Sequence, residues 1–323
     1  MGVTADDLQI FITTRNREAY LKDALESVLA QTARVRSVTV LDNESTDHSE
    51  ELVTKYANRG VSYVRTCGFL GNFNKAREIA EKRFVMLFHD DDILHPGYIE
   101  LAMKAVNRYD DVSLITTKYT EFNNDDLPTV SDKLSSEHYV FETQKDFAEY
   151  MYFCERIAYA PAIYRTEAFL KTPLEYERYS KFNDWPFMVK MAGHGRSVLF
   201  TDASLFLLRR HGMQDTWTTG NTPSLQQIVN WDKCFNDALE IGSRSWSLGN
   251  LMFRVKCGHF IEAKYAAFVR GKDARENSIR ALWSIATEAG MRPWTGVWTR
   301  RIALAMMRWH LRGIGSRNRK KAL

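Results

Sequence analysis

Cysteine is scarce in this chain: four residues in 323 (Cys67, Cys154, Cys234 and Cys257), far apart and without a CxxC pair. That excludes a disulfide framework and a thiolate zinc site, and it points to a reducing, cytosolic compartment. No window approaches the roughly 18 uninterrupted apolar residues of a membrane span. The N-terminus carries Asp6 and Asp7 where a signal peptide needs a basic region and a long apolar run, and Asp at position 6 breaks the acylation pattern after Gly2. Neither export nor myristoylation is therefore expected. The chain has no GxGxxG, which excludes a dinucleotide dehydrogenase. It also has no glycine from Thr13 to Arg17, where a sugar nucleotidyltransferase would place a glycine-rich phosphate loop. Internal repeats and low-complexity tracts are absent as well.

Acid is missing from one region only. Positions 292–323 hold nine of the 44 Lys and Arg residues and no Asp or Glu, so the rest of the chain has 35 basic against 40 acidic residues. The net charge of +4 therefore belongs to the tail, which argues against a nucleic-acid groove across the body. Within the tail, Trp294, Trp298, Ile302, Ala305 and Trp309 share one helical face, and Arg300, Arg301, Arg308 and Arg312 occupy others. A basic amphipathic helix with tryptophans suits a membrane interface carrying anionic lipid, although the same pattern serves a helix docked on the body.

What the chain does have is ample core, with 45% hydrophobic residues, and an alternation of strand and helix patterns. Leu8–Thr14 is nearly continuous in apolar and β-branched residues, as a strand buried on both faces requires. Leu21, Ala24, Leu25, Val28 and Leu29 then recur at helical spacing. Val35–Leu41 predicts a second strand, Ser49–Asn58 a helix, Val61–Val64 a third strand and Asn72–Lys82 a helix. Phe84–Phe88 is a further strand, followed by a helix over Gly97–Arg108 and a strand over Val112–Thr117. This order indicates a parallel, doubly wound α/β sheet. Glu121–Thr143 reads as a polar insertion or loop over the sheet. Helix is expected at Asp146–Phe153 and strand at Ala160–Tyr164. Asn183-Asp184-Trp185-Pro186 opens a helix to Ala192, with Asp as N-cap and Pro in the first turn. Ser197–Phe200 and Leu205–Arg209 are expected strands. Beyond Thr222 the pattern is helical to the end, with a boundary near 215.

The stretch that organises the chain is Phe84–Pro96, FVMLFHDDDILHP, an apolar strand running into His89, Asp90, Asp91 and Asp92. Three adjacent acids repel one another unless a cation sits among them. At the carboxyl end of a buried strand such a cluster suits a hard divalent metal and the phosphates it carries. A solvated acidic turn capping the next helix is the plainer reading.

Four segments fall at the carboxyl ends of predicted strands: Thr13-Thr14-Arg15-Asn16, Asp42–Asp47, the glycine loop with Asn72, and His89–Asp92. Together they resemble the inverting GT-A glycosyltransferases of family 2. The family's opening, IPTYNR followed by LxxxLxSVLxQT, is matched by ITTRNREAYLKDALESVLAQT. Its VDDGSTD corresponds to Leu41-Asp42-Asn43-Glu44-Ser45-Thr46-Asp47, and its GNxNxA to Gly71–Ala76. The resemblance covers roughly 8–215 and implies a GT-A domain over 1–215, with a nucleotide-sugar half (1–117) and an acceptor half (144–215); the region read as helical (216–323) lies outside it.

The resemblance implies a nucleotide-sugar donor, expected to be a UDP-sugar, and a saccharide acceptor; the basic tail suggests that this acceptor is lipid-linked and met at the cytoplasmic membrane face. It implies a divalent cofactor, Mn2+ or Mg2+. Asp42 would accept the uracil imide N–H, with Thr13, Thr14, Arg15 and Asn72 lining the nucleotide site. His89 stands where the family's DxD begins with Asp, so it and Asp90 are assigned to the nucleotide, and Asp91 to the metal. His211 matches a late histidine near the metal or diphosphate. Asp184, the second acid of the family's xED, is the expected general base; Asn183 replaces the Glu before it. Asp92, Trp185 and Arg210 are assigned to acceptor or phosphate contacts. A catalytically inactive nucleotide-binding scaffold is the alternative, with His89 and Asn183 as its signs.

Overall fold

A computed structural model describes residues 2–68, 70–123, 134–153, 157–179, 183–212, Cys234 and Arg319–Lys320. Alternation begins at once: β1 (Leu8–Thr14), α1 (Glu18–Leu29), β2 (Ser37–Asn43), α2 (Ser49–Thr54), β3 (Val61–Thr66), α3 (Gly71–Ile79) and β4 (Phe84–His89). A two-residue β5 (Ile93–Leu94) precedes α4 (Tyr98–Arg108), β6 (Val112–Thr117), β7 (Thr120–Asn123) and β8 (His138–Phe141). There follow α5 (Gln144–Phe153), β9 (Ile163–Arg165), α6 (Thr166–Lys171), α7 (Tyr176–Tyr179), α8 (Asp184–Met191), β10 (Arg196–Phe200), β11 (Phe206–Arg210) and β12 (Arg319–Lys320).

The larger sheet has the order β12-β8-β10-β6-β9-β4-β1-β2-β3. Seven of its strands share one direction, and β8 and β9 run against them. Because side chains alternate across a strand, β1 feeds two cores. Ile10 and Ile12 join α1, α2 and α4 on one face. Phe11 joins α3, α5, α6, α7 and α8 on the other. These are the buried runs that read as strands in the sequence, and the parallel arrangement brings their carboxyl ends to one edge.

Two corrections concern segments without a clear period. The stretch read as a loop over Glu121–Thr143 contains β8 and most of β7. Both are four-residue strands, TEFN and HYVF, too short for a period to stand out from the polar residues around them. The tail read as helical to its end carries β12, which pairs antiparallel with β8 at Arg319↔Tyr139 and Lys320↔His138. The remaining helical reading beyond Thr222, including the tryptophan face, lies outside the described residues. The proposed boundary near 215 lies there too.

A second sheet, β5-β11-β7, is built on the far side of the acidic turn. In it β11 runs parallel to β7 and antiparallel to β5, which carries Arg209, Arg210 and His211 back toward Asp90–Asp92. Arg77 of α3 ties that helix to the end of α6. Its Nη1 donates to Phe169 O and Thr172 O, each at 2.7 Å, and its Nη2 to Leu170 O, while the guanidinium packs on Phe73 and Phe169. One cation thus satisfies the orphan carbonyls at the end of α6 and fixes α3 against that helix.

Candidate active site

Register sets the site. In the β1–β4 pair Thr13 lies beside His89, and in the β1–β2 pair Thr14 lies beside Asp42. A cavity of about 680 Å³ opens over these strand ends. It is walled by Thr13–Arg17, by Asn43 and Glu44, by Gly68, Leu70 and the first residues of α3, and by His89 and Asp90. Tyr159, Leu174, Tyr176, Asn183 and Asp184, from the stretch after β8 up to the start of α8, complete its lining. Such a volume suits a nucleotide with an attached sugar.

The acidic turn is the most heavily determined part. Asp90 is buried; Thr14 Oγ1 donates to its Oδ2 at 2.6 Å, and Arg17 Nη1 to its Oδ1 at 3.1 Å. The same Arg17 nitrogen reaches Asp91 Oδ2 at 3.1 Å, where His211 Nε2 also sits at 2.9 Å. Asp92 Oδ1 accepts from Arg209 N at 3.0 Å, Arg209 Nε donates to Asp91 O at 2.8 Å, and Arg209 Nη2 pairs with Asp23 at 2.7 Å. Arg209 is itself buried, between the rings of Tyr20 and Phe122.

The electrostatics divide the acids. Burial pushes Asp90 up to about 7, against the pull of Arg17, and Asp92 up to about 6, against His89. Burial works on Asp91 too, but His89, Arg17 and His211 outweigh it and hold its pKa below the ordinary value. Burial would lower His89; Asp92, Asp91 and Asp184 reverse this and raise it to about 9. One carboxylate is thus strongly ionised while its neighbours resist charging, the balance a divalent cation would relieve.

The residues fit such a cation. His89, Asp91 and Asp92 each bring a ligand atom within 4.8 Å of the others. Asp92 Oδ2 is buried without a hydrogen-bond partner among the described residues, 3.6 Å from His89 Nδ1. A hard donor set of two carboxylates and one imidazole suits Mn2+ or Mg2+. His211 stands behind this group, bonded to Asp91 and tilted against Tyr20 with ring centroids 4.3 Å apart.

Asp184 lines the cavity from the first turn of α8. The N-cap place belongs to Asn183, whose Oδ1 instead accepts from Glu175 N at 3.1 Å, so the cap expected of Asp184 falls one residue earlier. Burial raises the Asp184 carboxyl to about 6, with His89 pulling the other way.

Of the residues predicted from sequence, Thr13, Thr14, Arg15, Asn72, His89, Asp90 and Asp184 line the cavity. Asn72 is fixed there by Thr66 Oγ1, which donates to its Oδ1 at 2.5 Å. Asp42 is not on the wall. Its Oδ1 accepts from Ser45 N at 2.9 Å and its Oδ2 from the Tyr63 hydroxyl at 2.8 Å. Arg210 points its guanidinium at Glu121 of β7, 2.6 Å away, and Trp185 packs against the core beneath α8. Asp92 is interior, turned toward Arg209 and His89. Sequence reasoning passed over Arg17, Tyr159, Asn43 and Glu44. Arg17 sits in the opening motif, and a lone cation two residues past Arg15 was the available signal.

Comparisons with known proteins agree with this geometry. The family model described as glycosyl transferase family 2 matches residues 9–169. An uncharacterised glycosyltransferase of Methanocaldococcus jannaschii is 24% identical over 187 residues, covering 56% of this chain and 62% of that protein, so the match spans about three fifths of the relative. Among solved structures, S. aureus TarS in complex with UDP-GlcNAc aligns at 16% identity with a TM-score of 0.53, covering 88% of this chain and 92% of that one. The mannosyltransferase PcManGT of Pyrobaculum calidifontis, in complex with GDP-Man and Mn2+, aligns at 15% identity with a TM-score of 0.50, covering 97% and 86%. At these identities the likeness is one of fold: a GT-A architecture.

Proposed function

Since this chain belongs to glycosyl transferase family 2, we propose that it moves a sugar from a UDP-sugar to a saccharide acceptor with inversion at the anomeric carbon. The observation that carries this is the placement of Asp184, a carboxylate raised to about 6, on the lining of the same cavity as the strand-end residues Thr13 and His89. Asp184 takes the proton of an acceptor hydroxyl as its oxygen attacks the anomeric carbon. The new C–O bond forms on the face opposite the breaking bond to the diphosphate, and the nucleoside diphosphate leaves with that electron pair. His89, Asp91 and Asp92 would hold a divalent cation, whose chemistry is to offset charge growing on the leaving diphosphate. Arg17, His211 and Arg209 hold these ligands in place.

Incubating the full chain with a panel of nucleotide sugars and saccharide acceptors tests the reading. UDP release together with a glycosylated product supports it. Nucleotide binding without turnover of any donor would identify an inactive scaffold instead.

The basic stretch 292–323 supports an acceptor carried on a membrane lipid and a peripheral position at the cytoplasmic face, as in surface polysaccharide assembly. No helix among the described residues is long and apolar enough to cross a membrane. The full chain is expected to co-sediment with anionic vesicles and to be released by salt; sedimentation equal to that with neutral vesicles would remove this part of the proposal.

A further inference from the structure

Base recognition is where this structure parts from the family pattern. The resemblance implies Asp42 for that task, yet Asp42 is 1% exposed and commits both carboxylate oxygens inside the protein, to Ser45 N and to the Tyr63 hydroxyl. The next two residues, Asn43 and Glu44, line the cavity.

Glu44 is presented there by its backbone. Its φ is 58°, the left-handed region where a Cβ is crowded, and Glu44 N donates to Asp42 O at 3.1 Å to close a tight turn. The family's VDDGSTD has glycine at this position, and glycine would make the turn without strain. Two bonds lock the turn to the end of β1: Asn16 N donates to Ser45 Oγ at 2.8 Å, and Thr46 N to Asn16 Oδ1 at 2.7 Å. On the other side Asn43 Nδ2 donates to Gly68 O at 3.1 Å, and Gly68 N approaches Glu44 Oε2 at 3.5 Å. An exposed carboxylate is therefore held on the wall of the same cavity as Arg15.

The uracil edge offers a ring N–H between two carbonyl oxygens. A carboxylate accepts that hydrogen, and a guanidinium donates to a flanking carbonyl. In cytosine the same ring nitrogen is an acceptor and turns its lone pair toward the carboxylate, which repels it. We infer that Glu44 is the specificity-determining acceptor for the ring N–H of the donor's base, with Arg15 on a flanking carbonyl and Asp42 bracing the turn from behind. This assignment rests on the nucleotide-sugar reading above.

Calorimetric titration of the full chain with UDP and with CDP, each with saturating Mn2+, tests it in wild type and Glu44→Gly. Wild type is expected to prefer UDP by about tenfold or more, the scale of one charge-assisted hydrogen bond. Glu44→Gly should weaken UDP by about that factor and leave CDP unchanged or tighter, so that the preference collapses. Its melting temperature should not fall, because glycine fits the turn. A variant that keeps the wild-type ratio of UDP to CDP affinity overturns the role of Glu44 and leaves the donor reading standing, as does wild-type protein that binds both nucleotides equally. Wild-type protein that binds neither overturns the inference and the donor reading together.

Discussion

Asp184→Asn is expected to abolish transfer, lowering kcat by about 10² to 10⁴, the range a positioned general base contributes. UDP affinity should stay nearly intact, because the residue reaches the cavity from α8 and not from the strand ends proposed to hold the nucleotide. Wild type should also show an acid limb in its rate profile. The base works only when ionised, and burial raises its carboxyl to about 6. Turnover should therefore fall as pH drops through about 6 and level off above it. A rate flat from pH 5 to 8, or an Asn variant with normal turnover, would assign the proton to another group. Steady-state kinetics across pH, with UDP titrations of the variant alongside, measure both.

The second large effect is expected at Asp91. Its Oδ2 receives Arg17 and His211 together, and its carboxylate is one of three groups placed to share a cation. Asp91→Ala should remove the metal dependence of UDP binding and lower turnover by more than the roughly 10- to 100-fold loss typical of a residue that only orients a ligand. The substitution also leaves Arg17 with one carboxylate instead of two, so a loss of stability is expected as well. Asp91→Asn keeps the shape and separates the two effects: circular dichroism should report a folded protein that still has no metal response. UDP binding that continues to tighten with Mn2+ in both variants would move the ligand role elsewhere.

Much of the fold can be read in the sequence because the parallel strands are buried on both faces. Leu8–Thr14 and Val112–Thr117 match β1 and β6 to the residue, and the Phe84 run extends only to His89. What the sequence hides is whatever depends on a partner far along the chain. β9 is three residues inserted antiparallel between β4 and β6, a place that no local period records. β7 and β8 are only four residues each within a polar stretch, so they pass for loop.

The site follows the same division. Strand-end motifs announce which residues can meet, and Thr13, His89 and Asp184 do share a cavity. Whether a carboxylate faces that cavity or the interior is decided by neighbours remote in sequence. Tyr63, on β3, takes Asp42 inward; Arg209, on β11, does the same for Asp92. Arg17 could not be recognised as the cation of the acidic turn until β1 and β4 were laid side by side. Trp185 follows Asp184 directly in sequence, yet along a helix successive residues diverge by about 100°, which sends one to the cavity and the other to the core.

The account depends most on separate strand ends forming one cleft for a cation and a nucleoside diphosphate. Titrating the wild-type chain with UDP in the presence and absence of Mn2+ tests this most directly. UDP should bind, and its affinity should rise when the metal is added. Affinity that is the same with and without Mn2+, or no binding in either condition, would contradict it.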